Sequence, residues 1–233
     1  MMSLDLYLGL GHGGVAARAD TAFWCEHAGV EEGADALFAH AGAGTRRWRK
    51  VPVRLWLSGA LARPFLCGPV SGMNRWTEVI ELARSTAAES TGIDALCSVT
   101  VEHWPHPSPS LAVAVATATL DAVERAAREH RVALRSVRPW WALALERSST
   151  VASGARLMAM TDTDAMTVLG EHDDGLHTAS GYMPGPSAEH ADRLLARLAL
   201  TAGVAADAVV RVELGRGADG LAGRLPFNVV PPR

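Results

Sequence analysis

The sequence predicts an α/β protein of mixed sheets flanked by helices, arranged as two similar halves. Three observations carry that expectation. The stretch 110–145, SLAVAVATATLDAVERAAREHRVALRSVRPWWALAL, passes from a strand-like run to a helical pattern, a second strand-like run and a second helical one. Beyond residue 148, three short apolar runs with tight polar connections precede an amphipathic helix and a further strand. Strands followed by a helix and another strand thus occur twice, which divides the chain into 1–147 and a shorter second half, 148–233, with an extended C-terminal tail. No sequence self-similarity accompanies this coarse repeat.

Taken in order, residues 4–10 (LDLYLGL) alternate and read as a first strand. Gly11, Gly13 and Gly14, with His12 among them, read as a tight turn, and 15–26 as one antiparallel strand returning from it. The stretch 31–49 is ambiguous. Ala36, Leu37, Ala39 and His40 can begin a helix that Gly42 and Gly44 weaken. Residues 51–57 form a strand, and 61–67 continue it or pair with it. A Gly/Pro loop over 68–72 leads to a helix over 75–89, with Asn74 as its cap, Trp76, Val79, Ile80 and Ala83 at helical spacing, and Thr91-Gly92 as its end. A strand over 96–104 and a rigid loop over 105–109 follow.

The runs 111–118 and 132–137 flank a helix with Leu120, Val123, Ala126 and Ala127 on one face and Asp121, Glu124, Arg125, Arg128 and Glu129 on the other. Strand, helix and strand read here as a parallel βαβ unit in one sheet. Pro139 opens the next helix, and 148–154 reads as a linker. Strands over 155–160, 166–171 and 176–182 make a meander. A helix over 187–202, capped by Ser187, places Leu194, Leu195, Leu198 and Ala199 inward with Arg193 and Arg197 outward. A final strand is expected over 208–214.

The 233 residues carry a formal net charge of -3, which gives no electrostatic footprint for nucleic acid. The basic cluster Arg46, Arg47, Arg49 and Lys50 is short, interrupted by Trp48, and suits a solvated helix end. Lys50 is the only lysine in an alanine- and arginine-rich chain, a composition that fits a GC-rich bacterial genome. Cys25, Cys67 and Cys97 have no disulfide or metal spacing and read as small hydrophobes in a reducing compartment. The N-terminus lacks the charge and apolar run of a signal peptide, and no stretch is apolar for long enough to cross a bilayer. A cytoplasmic location is expected, including a peripheral one at an inner membrane.

The candidate chemistry is sparse. Gly11-His12-Gly13-Gly14 can cradle a phosphate with His12 as acid or base, but a turn needing positive φ accounts for the glycines equally well. Asp162-Thr163-Asp164 can hold a divalent cation, or form an ordinary acidic hairpin turn. Glu171, His172, Asp173, Asp174 and His177 should lie at the other end of the middle strand, too distant to complete a site. His103 and His106 point to opposite faces if they lie on a strand. Ser58-Gly59 lacks the flanking residues of a nucleophile elbow, and no Ser/His/Asp or Cys/His arrangement is readable. No catalytic residue, metal ligand or cofactor is therefore assigned. All seven tryptophans fall in the first half. Trp140 and Trp141 are adjacent, so one is expected in the core and the other at an interface, internal or with a partner. The apolar tail 225–231, with Phe227, can cover a sheet edge of this chain or add to a partner's.

The hairpin at the start, the helix over 75–89 after a strand, and LAVAVATATLDAVERAAREHRVALRSV followed by PWWALAL resemble the actin-like (ribonuclease H-like) superfamily. More narrowly, the element order is similar to that of cytoplasmic actin-like proteins of type IV pilus assembly (M type) and of the cytoplasmic domain of type II secretion proteins (L type). The resemblance spans most of the chain and rests on that order. It implies a scaffold that binds protein partners of an envelope machine at the inner membrane. It also implies where a nucleotide would sit if one binds: at Gly11, Gly13, Gly14 and Asp162. Nucleotide-binding members place an acidic residue, Gly and Thr/Ser at the first hairpin turn. Here Asp5 comes too early, and the second phosphate loop, 161–165, has no glycine. These departures favour a scaffold without ATP chemistry. A nucleotide-binding actin-like ATPase and a metal-dependent hydrolase or transferase using Asp162 and Asp164 are the alternatives.

Overall fold

The computed structural model describes residues 3–18, 21–43, 50–68, 73, 75–93, 96–102, 109–148, 157–172, 175–182, 188–201, 209–214 and 227–230. The chain opens with β1 (Leu4–Leu8), β2 (His12–Arg18) and β3 (Thr21–Glu26). The single strand expected over 15–26 is therefore two, paired antiparallel through Arg18 and Thr21. The hairpin turn lies at Gly9, Leu10 and Gly11 rather than at 11–14, with the Gly9 N–H donating to the His12 carbonyl at 2.8 Å. Gly13 and Gly14 belong to β2 itself, because side chains pack directly over them. A Cβ on Gly14 would fall 2.8 Å from the Trp24 ring, and one on Gly13 would fall 3.0 Å from Leu37.

The ambiguous stretch that follows contains α1 (Val30–Gly42). Gly42 closes this helix rather than interrupting it, and Glu31 and Glu32 favour its N-terminal dipole. Its face of Ala34, Leu37, Phe38 and Ala41 is buried. Next come β4 (Pro52–Leu57) and β5 (Ala62–Cys67). Expected to extend or pair with β4, β5 instead belongs to another sheet. Helix α2 (Trp76–Thr91) buries Val79, Ala83 and Ala87 and ends at Gly92, whose φ of 64° is the left-handed conformation a helix C-terminus favours.

Strands β6 (Cys97–Val101) and β7 (Ser110–Ala116), helix α3 (Thr117–Glu129), β8 (Ala133–Pro139) and helix α4 (Trp140–Ser148) complete the first half. Here the expected βαβ unit is corrected. β7 is the centre of a three-stranded antiparallel sheet, β5-β7-β6, whereas β8 lies parallel to β4 in the main sheet, β3-β2-β1-β4-β8. The parallel pair spanned by α3 is thus β4 and β8, with β5, α2, β6 and β7 inserted between them. An apolar alternation says which side of a strand is buried, not which strand lies beside it.

The second half holds the meander β9 (Leu157–Thr161), β10 (Met166–His172) and β11 (Gly175–Tyr182), then α5 (Ala188–Thr201), β12 (Val210–Leu214) and β13 (Phe227–Val230). The strand expected to be last, β12, is followed by β13, which pairs with it antiparallel and so covers this sheet's own edge. The second main sheet has the order β11-β10-β9-β12-β13. Apart from the inserted sheet, both main sheets read third, second, first, fourth and fifth strand. The expected caps Asn74 and Ser187, the 68–72 and 105–109 loops and the 148–154 linker lie wholly or mainly outside the described residues.

Among the described residues, four buried clusters hold these layers. Leu6, Leu8, Val53 and Leu55 of the first sheet pack with Leu37, Phe38 and Ala41 of α1 and Val123, Ala126 and Ala127 of α3. The face of α2 packs on Phe65, Val99, Ala112 and Ala114 of the small sheet. Leu195 and Ala199 of α5 cover Leu157, Ala159 and Val168 of the second sheet. The fourth cluster joins the two main sheets through α4. It contains Tyr7 and Trp56 from one sheet, Trp140, Trp141 and Leu143 from the helix, and Met158, Met160 and Val212 from the other sheet.

Candidate functional site

Three turns converge at the strand ends where the main sheets meet. They are the hairpin turn after β1, the 58–61 turn after β4, and the 162–165 turn after β9. The parallel pairing of β1 with β4 brings the first two together, and the Ser58 N–H donates to the Leu8 carbonyl at 2.9 Å. The third turn arrives from the second sheet, and each of its first three residues grips a different part of the first half.

Asp162 is buried, and its carboxylate accepts four hydrogen bonds. Oδ1 accepts from Ser58 Oγ and from the N–H groups of Asp164 and Ala165, all at 2.9 Å, while Oδ2 accepts from the Gly59 N–H at 2.8 Å. Burial pushes this carboxyl above its ordinary value, and the four donors oppose that shift. Thr163 Oγ1 and the Tyr7 hydroxyl lie 2.8 Å apart in a hydrogen bond. Burial first, then the Asp162 carboxylate, hold the Tyr7 hydroxyl well above its ordinary pKa. Asp164 Oδ2 accepts from the Leu10 N–H at 2.8 Å, and its Oδ1 stands 3.6 Å from His12 Nδ1.

Of the residues at which a nucleotide was expected, Gly11 and Asp162 border this junction. Gly13 and Gly14 lie along β2 beneath Leu37 and Trp24. Asp5 is buried within β1 and paired with Arg54 at 2.8 Å. Among the described residues, no three His, Cys, Asp or Glu side chains gather as metal ligands. His103, His106, Asp173 and Asp174 lie outside the described residues.

Trp140 and Trp141 are both buried, at 1% and 3% exposure, in the cluster that joins the two main sheets, so neither indole lies at an exposed surface. Trp141 Nε1 donates to the Ala62 carbonyl at 2.9 Å, tying α4 to the start of the small sheet. The first strand residue of β13, Phe227, pairs with Leu214. Tyr7, Gly9 and Leu10 escaped sequence reasoning, and Ser58 entered it only as a rejected nucleophile. The available signal was a glycine-rich turn in one half and an acidic turn at the matching position of the other.

A groove of about 290 Å³ opens elsewhere, between β8, α3 and the small sheet. Leu57, Val113, Val115, Leu134 and Val137 line it together with the polar Ser98, Thr100 and Glu124 and with Arg138. β8 and β6 are the end strands of their sheets on this side.

No protein-family model matches the chain, and no curated protein matches its sequence. Solved structures do match in shape. The chain is similar to the cytoplasmic domain of EpsL, an inner-membrane component of the type II secretion system of Vibrio cholerae, with TM-score 0.50 and 13% identity over 83% of this chain and 75% of that one. It is similar to a Bacteroides thetaiotaomicron protein of unknown function with an actin-like ATPase fold, with TM-score 0.52 and 11% identity over 87% and 78%. It is also similar to a chain of the PilM–PilN type IV pilus biogenesis complex, with TM-score 0.52 and 12% identity over 85% of this chain and 66% of that one. The fold is actin-like, with two main sheets of the same strand order.

Proposed function

We propose that the chain is a non-catalytic scaffold of a bacterial envelope machine, of the type IV pilus or type II secretion kind. It would act by protein–protein contact on the cytoplasmic side of the inner membrane. One observation carries the reading. The turn expected to hold a nucleotide's phosphates from the second half has Asp162 at its start, and both oxygens of that carboxylate are taken by four protein donors. An Mg²⁺ ion or phosphate there would have to displace bonds to a buried charge, each worth about 1.5–3 kcal/mol.

The similarity to a secretion component and a pilus complex supports the partner class, since one is a cytoplasmic domain of an inner-membrane component and the other a protein–protein assembly. No helix among the described residues is long and apolar enough to cross a membrane. The groove between β8 and β6 supports contact through sheet edges, because it combines apolar lining with two end strands.

Calorimetry and thermal melting of the full chain with Mg-ATP test the reading. No heat and no shift in Tm are expected. Micromolar binding would overturn it in favour of a nucleotide-binding actin-like protein.

A further inference from the structure

We propose that Asp164 is a built-in anion. Its carboxylate occupies the seat that the first hairpin turn offers to an oxyanion, it clasps the two main sheets together there, and its removal leaves a site for inorganic phosphate. The inference deepens the scaffold reading and rests on it for its meaning, though not for its test.

Three features of the seat support this. The Leu10 N–H points at Asp164 Oδ2 over 2.8 Å, so a backbone donor at a strand end is satisfied by a carboxylate from the other half of the chain. Turns that direct backbone N–H groups outward are ordinary anion sites. Gly9 leaves room only for that carboxylate, because a Cβ there would lie 1.9 Å from Oδ2. His12 Nδ1 is buried, has no hydrogen-bond partner among the described residues, and stands 3.6 Å from Oδ1. It is a second nitrogen facing the anion, at a separation that a larger tetrahedral group would shorten.

The carboxylate is also delivered rigidly. Asp162 Oδ1 accepts from the Asp164 N–H, so the bond that shapes the 162–165 turn also aims Asp164. Only 9% of the Asp164 side chain is exposed. The three residues Asp162, Thr163 and Asp164 grip the 58–61 turn, β1 and the hairpin turn respectively. The angle between the halves is thereby held by a ligand encoded in the chain, where a free anion would otherwise have to bridge them.

The test compares thermal melts of the full-length chain and its variants in inorganic phosphate and in sodium chloride of equal ionic strength. The native chain should show no phosphate-specific shift. D164A should melt about 3–8 °C lower, the scale expected for losing a charge-assisted bond in a chain of this size. Phosphate at roughly ten times its Kd should then restore about 3 °C. D164N keeps an oxygen in the seat and should gain nothing from phosphate. Gly9→Ala should destabilise the native chain more than it destabilises D164A, because its added carbon meets the carboxylate.

Equal phosphate shifts in the native chain and D164A, or no rescue of D164A, would overturn the proposal. Should D164A fail to fold, D164S takes its place, since it also vacates the Oδ2 position: a phosphate-specific rise in its Tm would support the proposal, and none would overturn it. Mg-ATP binding by the native chain would sink the scaffold reading without touching this result. A missing phosphate rescue would sink the built-in anion and leave the scaffold reading standing.

Discussion

Gly9, Leu10 and Gly11 follow the first strand of one main sheet, and Asp162, Thr163 and Asp164 follow the first strand of the other. The two turns hold matching positions in the same strand order, yet one presents a backbone donor, the Leu10 N–H, and the other the Asp164 carboxylate that accepts from it. Two turns of like chemistry would repel each other or need a third component between them. Turns of opposite chemistry satisfy one another directly. The difference shows how an actin-like pair of sheets can close on itself. A second difference lies at the far edges. β8 joins β4 in parallel after a long excursion through the small sheet, whereas β13 returns antiparallel beside β12. Among the described residues, the first half therefore carries an inserted layer with no counterpart in the second.

That comparison can be broken most severely at α4, which lies between the two sheets. Trp140→Ala removes a large side chain that is 1% exposed within the shared cluster, and should cost about 3–5 kcal/mol in urea unfolding. A loss below about 1 kcal/mol would mean the sheets do not depend on a common core.

Next comes the junction itself. Asp162→Ala strands the donors of Ser58, Gly59, Asp164 and Ala165 and should cost about 3 kcal/mol. If Asp162→Ala and Ser58→Ala prove additive in a double-mutant cycle, the bond between the turns carries no coupling.

The smallest effect sharpens the picture at Tyr7. Tyr7→Phe loses one hydrogen bond, to Thr163, at about 1 kcal/mol near neutral pH. The Tyr7 pKa is raised in the folded state above the ordinary value of 10.0. The neutral hydroxyl therefore contributes stability that is complete below that value and is lost as pH rises through the folded pKa. The variant should lack this alkaline decline, so the two stability curves should converge above about pH 10. Parallel curves would place the Tyr7 hydroxyl in water rather than in the cluster.

Much of the fold was legible in the residues because local patterns dictate local structure. Leu194, Leu195 and Ala199 at helical spacing located α5, and Thr91-Gly92 located the end of α2. The candidate turns were also visible as a glycine-rich stretch and an acidic one. Their encounter was not, because residues 154 positions apart meet only once both sheets have formed. Without that encounter, Asp162 and Asp164 read as free ligands for a metal or nucleotide.

By itself, then, the sequence determined most of the elements and their order, though not the division of 15–26 into β2 and β3 or the strand β13, since propensity and periodicity act over a few residues. Only the tertiary structure decided that β7 and β8 part into different sheets, that Trp140 and Trp141 are both enclosed, and that the acidic turn binds the chain's own N–H groups. Strand pairing and hydrogen-bond partnership are choices among distant groups of similar chemistry. Those choices are settled by which arrangement buries the most apolar surface while leaving the fewest polar groups unpaired.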